Sequence, residues 1–564
     1  MNVHDAIRQT LCRHYPELAP GEIQFASPPS LDLGDVAVPL FPLARKRKEA
    51  PQRIAKEAAG IAFDPVVVST SATGPYLNLK LDRDRVGAEI VAEILTAGRH
   101  WGSDGSGAGH RVLIEHTSIN PNAEPHVGRG RCAMIGDSIT RLLRFLGYEV
   151  EVHYYVNDMG RQIGLLALVV DELDDVAFDQ VLGAYIQANQ RAESDPEFAE
   201  RGYTLLARME AGDPEVQQKF YKVTDLCLKG QLAVLERLGA TYDCFDRESA
   251  YVNDPRLERI ESALRAKDAL FTDEENRLVV DLAKLGHEPD EGRFFVLRRA
   301  NGSSMYGCRD LVYSIDKHER GADINLMVLG EDHKLYAQQL ALILGTAGIP
   351  APEAIYYSYI LLKDGKMSTR QGKVVMLADF LNQAAARALE RVSEQFPELS
   401  ADERAAIAEQ VAVGAIRFAV LRVKPNKNVM FDMEAALSFQ GDTGPYIQYS
   451  CARIRSILRK WDRPLPDRPA AGFAARADAE WALLLNLAAF PDRIRDAAAQ
   501  RVCAPVAVYA LELARAFTAF YHECPVLGAE SAQVTEARLL VCRATLQTLE
   551  NAMHILGITV PERM

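Results

Sequence analysis

His126 and Gly128 stand where residues 111–164, RVLIEHTSINPNAEPHVGRGRCAMIGDSITRLLRFLGYEVEVHYYVNDMGRQIG, turn from strand into helix. A helix mouth presents unpaired backbone N–H groups and partial positive charge, so phosphate binds there readily. Gly128 and Gly130 remove side chains where a ligand would approach the backbone. A second constellation lies downstream: KDGKMSTRQGK, residues 363–373, sets Lys363, Lys366, Arg370 and Lys373 around Gly365 and Gly372. A lone cationic turn is ordinarily solvated surface. Paired with a phosphate-binding helix mouth, it becomes a means of stabilising charge that develops on a triphosphate.

The elements that must position these residues are legible. RVLIEHTS has strand character, and Ile135, Ile139, Leu142, Leu143 and Leu146 recur at helical spacing. Gly147 ends that helix and EVEVHYYV returns as a strand, which predicts a right-handed β-α-β crossover. IYYSYILL, residues 355–362, predicts the strand that delivers the cationic loop. No GxGxxG with an acidic ribose partner follows the first strand, which argues against a dinucleotide-dependent oxidoreductase.

The two constellations resemble the paired HIGH and KMSKS signatures of class I aminoacyl-tRNA synthetases. SINPNAEPHVGRGR, YYVNDMGRQI, YGCRD, KMSTRQGKVV, ALSFQGDTGPYIQYSCARIRSILRK and LGITVPERM together are similar to the arginyl-tRNA synthetase family. That resemblance implies an α/β fold: a Rossmann-like catalytic domain over about 111–380 with a mostly helical insertion at about 165–290. It further implies a small α+β domain at 1–85 that touches the tRNA elbow, a linker at 86–110, and an all-α anticodon-binding domain at 385–564. The implied reaction is ATP-dependent activation of L-arginine to the adenylate, with release of pyrophosphate, and transfer to the 3' end of tRNA(Arg).

The same resemblance assigns roles. His126 and Lys366 are the catalytic expectations, with Arg129 where the family usually has a second histidine; Thr369 or Arg370 replaces the second lysine of KMSKS. ATP falls to His126, Gly128, Asp332, His333, Lys366 and Ser368. Arginine falls to Glu115, Asn120, Tyr306 and Asp310, because a guanidinium needs an anionic planar acceptor. Without the family, Asp310 reads as a salt-bridge partner of its neighbour Arg309. Tyr446, Gln448, Tyr449 and Arg453 are the tRNA expectations, since aromatics stack on splayed bases and arginines meet phosphate; their alternative is packing inside a helix. ATP enters with Mg²⁺ as substrate, and no structural metal is expected. A bidentate guanidinium site rejects lysine and citrulline by itself, so the insertion is not expected to edit.

Composition agrees. The 564 residues, 25% charged and 48% hydrophobic, fit about three or four domains by the usual domain size. Nine cysteines without a CxxC pair indicate neither a disulfide framework nor a zinc site. A net charge of −13 disfavours indiscriminate nucleic-acid binding. Local basic patches at 44–58 and at Arg453, Arg455, Arg459 and Lys460 remain candidates for RNA phosphate. A cytoplasmic monomer without a membrane span is expected. Two other readings stand beside this one: a paralogue activating arginine or a guanidino analogue outside translation, and a non-catalytic tRNA-binding protein.

Overall fold

Short apolar alternations at the N-terminus build an antiparallel sheet of Val36–Pro39 (β1), Val67–Thr73 (β2) and Tyr76–Leu81 (β3), in the order β1-β3-β2. The helix Val3–His14 lays Val3, Ile7 and Leu11 into the core. The basic patch at 44–58 falls on two helices, Phe41–Arg47 and Pro51–Ala58. Lys48 takes a left-handed φ of 55° and caps the first, and Pro51 opens the second. In the computed structural model, all residues are described except 1–2, 27, 31, 64–65, 122–123, 170–177, 287–291, 364–374, 470–472 and 474–476.

Much of the expected linker at 86–110 is a helix, Arg83–Ala97, capped by the Asp82 carboxylate on the Arg85 N–H. Val86, Ile90, Val91 and Ile94 are buried at helical spacing, which docks it on the helices Asp478–Ala488 and Ala532–Ile555.

The middle of the chain is built on a parallel sheet. Arg111–Glu115 (β4), Glu149–Val156 (β5) and Cys244–Arg247 (β6) pair in sequence. Leu270–Thr272 (β7), Leu278–Asp281 (β8) and Phe294–Arg298 (β9) form a separate antiparallel sheet. Ile324–Gly330 (β10) returns beside β4, and Glu353–Tyr357 (β11) completes the order β11-β10-β4-β5-β6. This is a doubly wound sheet whose order reverses between β4 and β10, and such folds bind ligands in the crevice at that reversal. Ile360–Leu362 (β12) pairs in parallel with Val429–Phe431 (β13).

The segment 165–290 is mostly helical, as expected, but it also carries strands. Three helices, Phe178–Ser194, Pro196–Glu210 and Pro214–Arg237, pack around their own core of Val181, Met209, Phe220 and Val223. The chain then rejoins the main sheet at β6, whose four residues CFDR carry too little apolar pattern to announce a strand.

From Leu377 onward helices predominate, and a single apolar core runs from Val3 to Ile558. Polar contacts close the molecule across its length. The Trp481 indole donates to Asp35 at 2.8 Å, and His4 Nδ1 lies 2.7 Å from Asp492. Among the described residues, no helix is long and apolar enough to cross a membrane.

Candidate ATP and arginine site

The helix Val127–Phe145 begins beside the switch point, with His126 as its N-cap. The Gly128 N–H donates to His126 Nδ1 at 3.1 Å, which assigns the ring proton to Nε2 and leaves that nitrogen as a donor. Burial, with the Arg129 charge adding to it, lowers the His126 pKa and keeps the ring neutral. A Cβ on Gly128 would stand 2.9 Å from the His126 ring, so glycine first clears room for the histidine itself.

At the end of β4, Thr117 and Ser118 take left-handed φ values of 79° and 45°, a costly conformation for both residue types. The Thr117 carbonyl accepts from Arg129 Nη1 at 3.2 Å. His126, Gly128 and Arg129 line one wall of a cavity of about 150 Å³; Gly330, Asp332, His333 and Tyr357–Leu361 line the other. Asp332 and His333 are exposed in the turn after β10. Lys366, Ser368, Thr369 and Arg370 lie outside the described residues.

Beside the sheet three carboxylates, Asp310, Glu115 and Glu248, cluster. Asp310, on the helix Tyr306–Glu319, accepts from the Tyr336 hydroxyl at 2.5 Å. Its pKa is raised, chiefly by burial and further by the Glu115 charge, against the pull of that hydrogen bond. The local alternative for Asp310 does not form: Arg309 turns to Glu248, Nε to Oε1 2.6 Å. Burial pushes the Glu248 carboxyl up to about 7 in spite of this pair. Glu115, expected to hold the substrate, accepts from the fully buried Lys317 at 2.6 Å. Two of the three carboxylates are therefore matched by cations, and Asp310 has none within ion-pair distance among the described residues.

Tyr306 is 54% exposed, with its ring 5.3 Å from that of Tyr336. Asn120 is exposed, and its backbone carbonyl accepts from Gln231. Sequence reasoning missed Tyr336, Lys317, Glu248 and Tyr155. The Tyr155 hydroxyl is buried beside Asp310, whose carboxyl pKa it helps to lower. Burial, then the Asp310 charge, holds that phenol protonated. Tyr155 lies in YYVNDMGRQI, which marked the family and gave that tyrosine no role. The other three belong to no short motif, and the sheet with the helices Tyr306–Glu319 and Lys334–Thr346 brings them together.

Metal-type donors converge once among the described residues, at Glu151, His153 and Cys244, within 4.8 Å. Both His153 nitrogens are already engaged, Nδ1 by Asp246 and Nε2 by Glu151, which reads as an ion-pair cluster.

On the helix Gly444–Arg459 the expected RNA group divides. Gln448 is fully buried and donates to the Gln410 and Thr559 carbonyls, so it fastens the C-terminal segment and cannot reach a ligand. Tyr446 is half-buried, with its hydroxyl 2.8 Å from Thr518. Tyr449 and Arg453, stacked at 4.8 Å, line a surface pocket of about 320 Å³. Of the basic patch, Arg455 donates to the Val560 and Pro561 carbonyls and Arg459 to that of Glu562.

A doubly wound parallel sheet with a histidine-capped helix at its switch point, together with the family match that follows, makes this a class I aminoacyl-tRNA synthetase. The profile for "tRNA synthetases class I (R), catalytic domain" matches residues 90–433. Those for the "Arginyl tRNA synthetase N terminal domain" and the "DALR anticodon binding domain" match 1–81 and 447–564. The chain is 37% identical to an arginine–tRNA ligase of Methanothermobacter thermautotrophicus, covering 97% of this chain and 96% of the other. It is 37% identical to that of Methanopyrus kandleri, covering 96% and 94%. Its fold is similar to that of Thermus thermophilus arginyl-tRNA synthetase, with a TM-score of 0.81, 29% identity, and 100% and 99% of the two chains covered. The chain belongs to the arginyl-tRNA synthetase family.

Proposed function

We propose that the protein ligates L-arginine to tRNA(Arg) in two steps, using ATP with Mg²⁺. The observation that carries the arginine assignment is Asp310, a half-buried carboxylate with no cation within ion-pair distance among the described residues, in a cluster where Arg309 and Lys317 already answer Glu248 and Glu115. A guanidinium supplies the missing charge and planar donors. In the first step the arginine carboxylate attacks the α-phosphorus and pyrophosphate leaves. His126 Nε2–H and Arg129 donate to phosphate oxygens at the helix mouth, with Lys366 on the pyrophosphate side. Asp332 and His333 hold the ribose side. In the second step the terminal ribose hydroxyl of tRNA takes the arginyl group and AMP leaves. Positioning and charge stabilisation supply most of the rate.

On this reading residues 1–85 meet the tRNA elbow, 111–380 do the chemistry, and 385–564 meet the anticodon through Tyr449 and Arg453. The protein acts as a cytoplasmic monomer. Charging of total tRNA with radiolabelled arginine, lysine and citrulline in parallel tests the proposal. Arginine-specific charging supports it; no charging, with no arginine-dependent ATP–pyrophosphate exchange even when tRNA is present, refutes it.

A further inference from the structure

Arg131 is fully buried, and its partners are all backbone carbonyls. Nη1 donates to Ser358 at 2.6 Å and Tyr359 at 3.0 Å. Nη2 donates to Lys427 at 2.7 Å, Pro425 at 3.0 Å and Lys424 at 3.4 Å. No carboxylate lies within ion-pair distance, and Nε has no partner, among the described residues. Burial lowers the guanidinium pKa to about 10, which still leaves a cation at neutral pH. A buried charge without a counter-ion is destabilising, and an apolar side chain of similar length would fill the same space. Only a planar fork with several donors can hold so many carbonyls from two segments at once.

One of those segments and the helix that bears Arg131 are parts of one site. Ser358 and Tyr359 belong to the wall of the ATP cavity opposite His126, and Arg131 sits one turn into the helix that His126 caps. Residues 424–427 line no part of that cavity and lead into β13. The two segments are laced to each other as well: the Ser358 N–H donates to Pro425 and the Val429 N–H to Tyr359.

We propose that Arg131 is a positioning residue for ATP. It fixes the Ser358–Tyr359 wall against the helix mouth that carries His126 and Arg129, and ties both to the 424–427 segment. The proposal rests on the ATP reading of this cavity. Because the arginine pocket is built on β4, β5 and the helix Tyr306–Glu319, loss of Arg131 should separate the two substrates.

The first test uses the wild-type protein: amide hydrogen exchange with and without ATP and Mg²⁺, in the absence of arginine and tRNA. ATP should slow exchange at 357–361 and also at 424–429. Protection confined to 357–361 would overturn the proposal alone, whereas no protection at either segment would overturn the cavity reading and the proposal with it. The second test is kinetic. Arg131→Lys keeps the charge but loses the fork, and should raise KM for ATP about 5- to 20-fold while KM for arginine stays within about 2-fold. Arg131→Gln should raise it further. Equal rises in both constants, or an unchanged KM for ATP in both folded variants, would reject the assignment.

Discussion

Asp310 shows how one residue's role is set by what its neighbours do. Its adjacent arginine is committed to Glu248 at 2.6 Å and makes no ion pair with it; on the proposed function, the carboxylate takes the substrate guanidinium. Asp310→Asn replaces an anion with a group that also carries donors, and should lower kcat/KM for arginine by about 10³-fold or more while circular dichroism is unchanged. Retained arginine use would remove Asp310 from the pocket. A second residue-scale prediction concerns His116, buried at the end of β4 with Nδ1 on the Thr117 hydroxyl at 2.8 Å. Burial lowers its pKa to about 4. A histidine whose folded pKa is depressed gives stability that is fully present above the unfolded value. That stability is lost as pH falls toward the folded pKa. Its share of the loss between pH 7.5 and 5 is about 2 kcal/mol. Urea unfolding at the two pH values should show a smaller difference in His116→Gln than in the parent, and an equal difference would count against this account.

At the scale of elements, the helix Val127–Phe145 is the part around which the site is organised. Its mouth holds His126, Arg131 reaches the opposite wall of the cavity, and Asp137 accepts from Arg417. Its face toward β4 must stay bare. A Cβ at Gly136 would lie 2.3 Å from the His116 ring, an approach no packing adjustment of a few tenths of an ångström relieves. Gly136→Ala should therefore destabilise the protein by about 1–3 kcal/mol despite the better helix propensity of alanine. A urea midpoint at or above that of the parent would show that the helix can move away.

Across the whole molecule, the first and last domains are locked by side chains far apart in sequence. Asp35 with Trp481 and His4 with Asp492 join the N-terminal domain to the C-terminal helices. Arg417, fully buried, joins Asp137, Leu238 and Leu556, which stand on the catalytic helix, after the helix Pro214–Arg237, and at the end of the last helix. Arg417→Met leaves the Asp137 carboxylate without this partner, and should cost on the order of 3–5 kcal/mol in urea unfolding. A loss below about 1 kcal/mol would mean the junction is held by its apolar contacts. At the same scale, the basic helices at 41–58 offer exposed Arg45, Lys48 and Arg53, the last with only a loose 3.6 Å ion pair to Glu49, whereas Lys46 and Arg47 are paired closely with Glu22 and Glu17. Reversing Arg45, Lys48 and Arg53 together should raise KM for tRNA several-fold with KM for arginine unchanged; an unchanged constant would take this face out of the tRNA footprint.

The sequence by itself determined the local chemistry: the strand–helix–strand turn, the histidine cap with its glycines, YGCRD, and the helical period of the C-terminal domain. Each is written in residues within a turn or two of one another, where backbone preference and side-chain spacing act directly. It did not determine what each charge meets. The commitment of Arg309 to Glu248, Lys317 under Glu115, Tyr336 on Asp310, the burial of Gln448 and the return of β6 to the sheet all depend on partners tens to hundreds of residues away. A buried charge is settled by whichever counter-group the folded core brings within about 3 Å, and spacing along the chain carries no record of that.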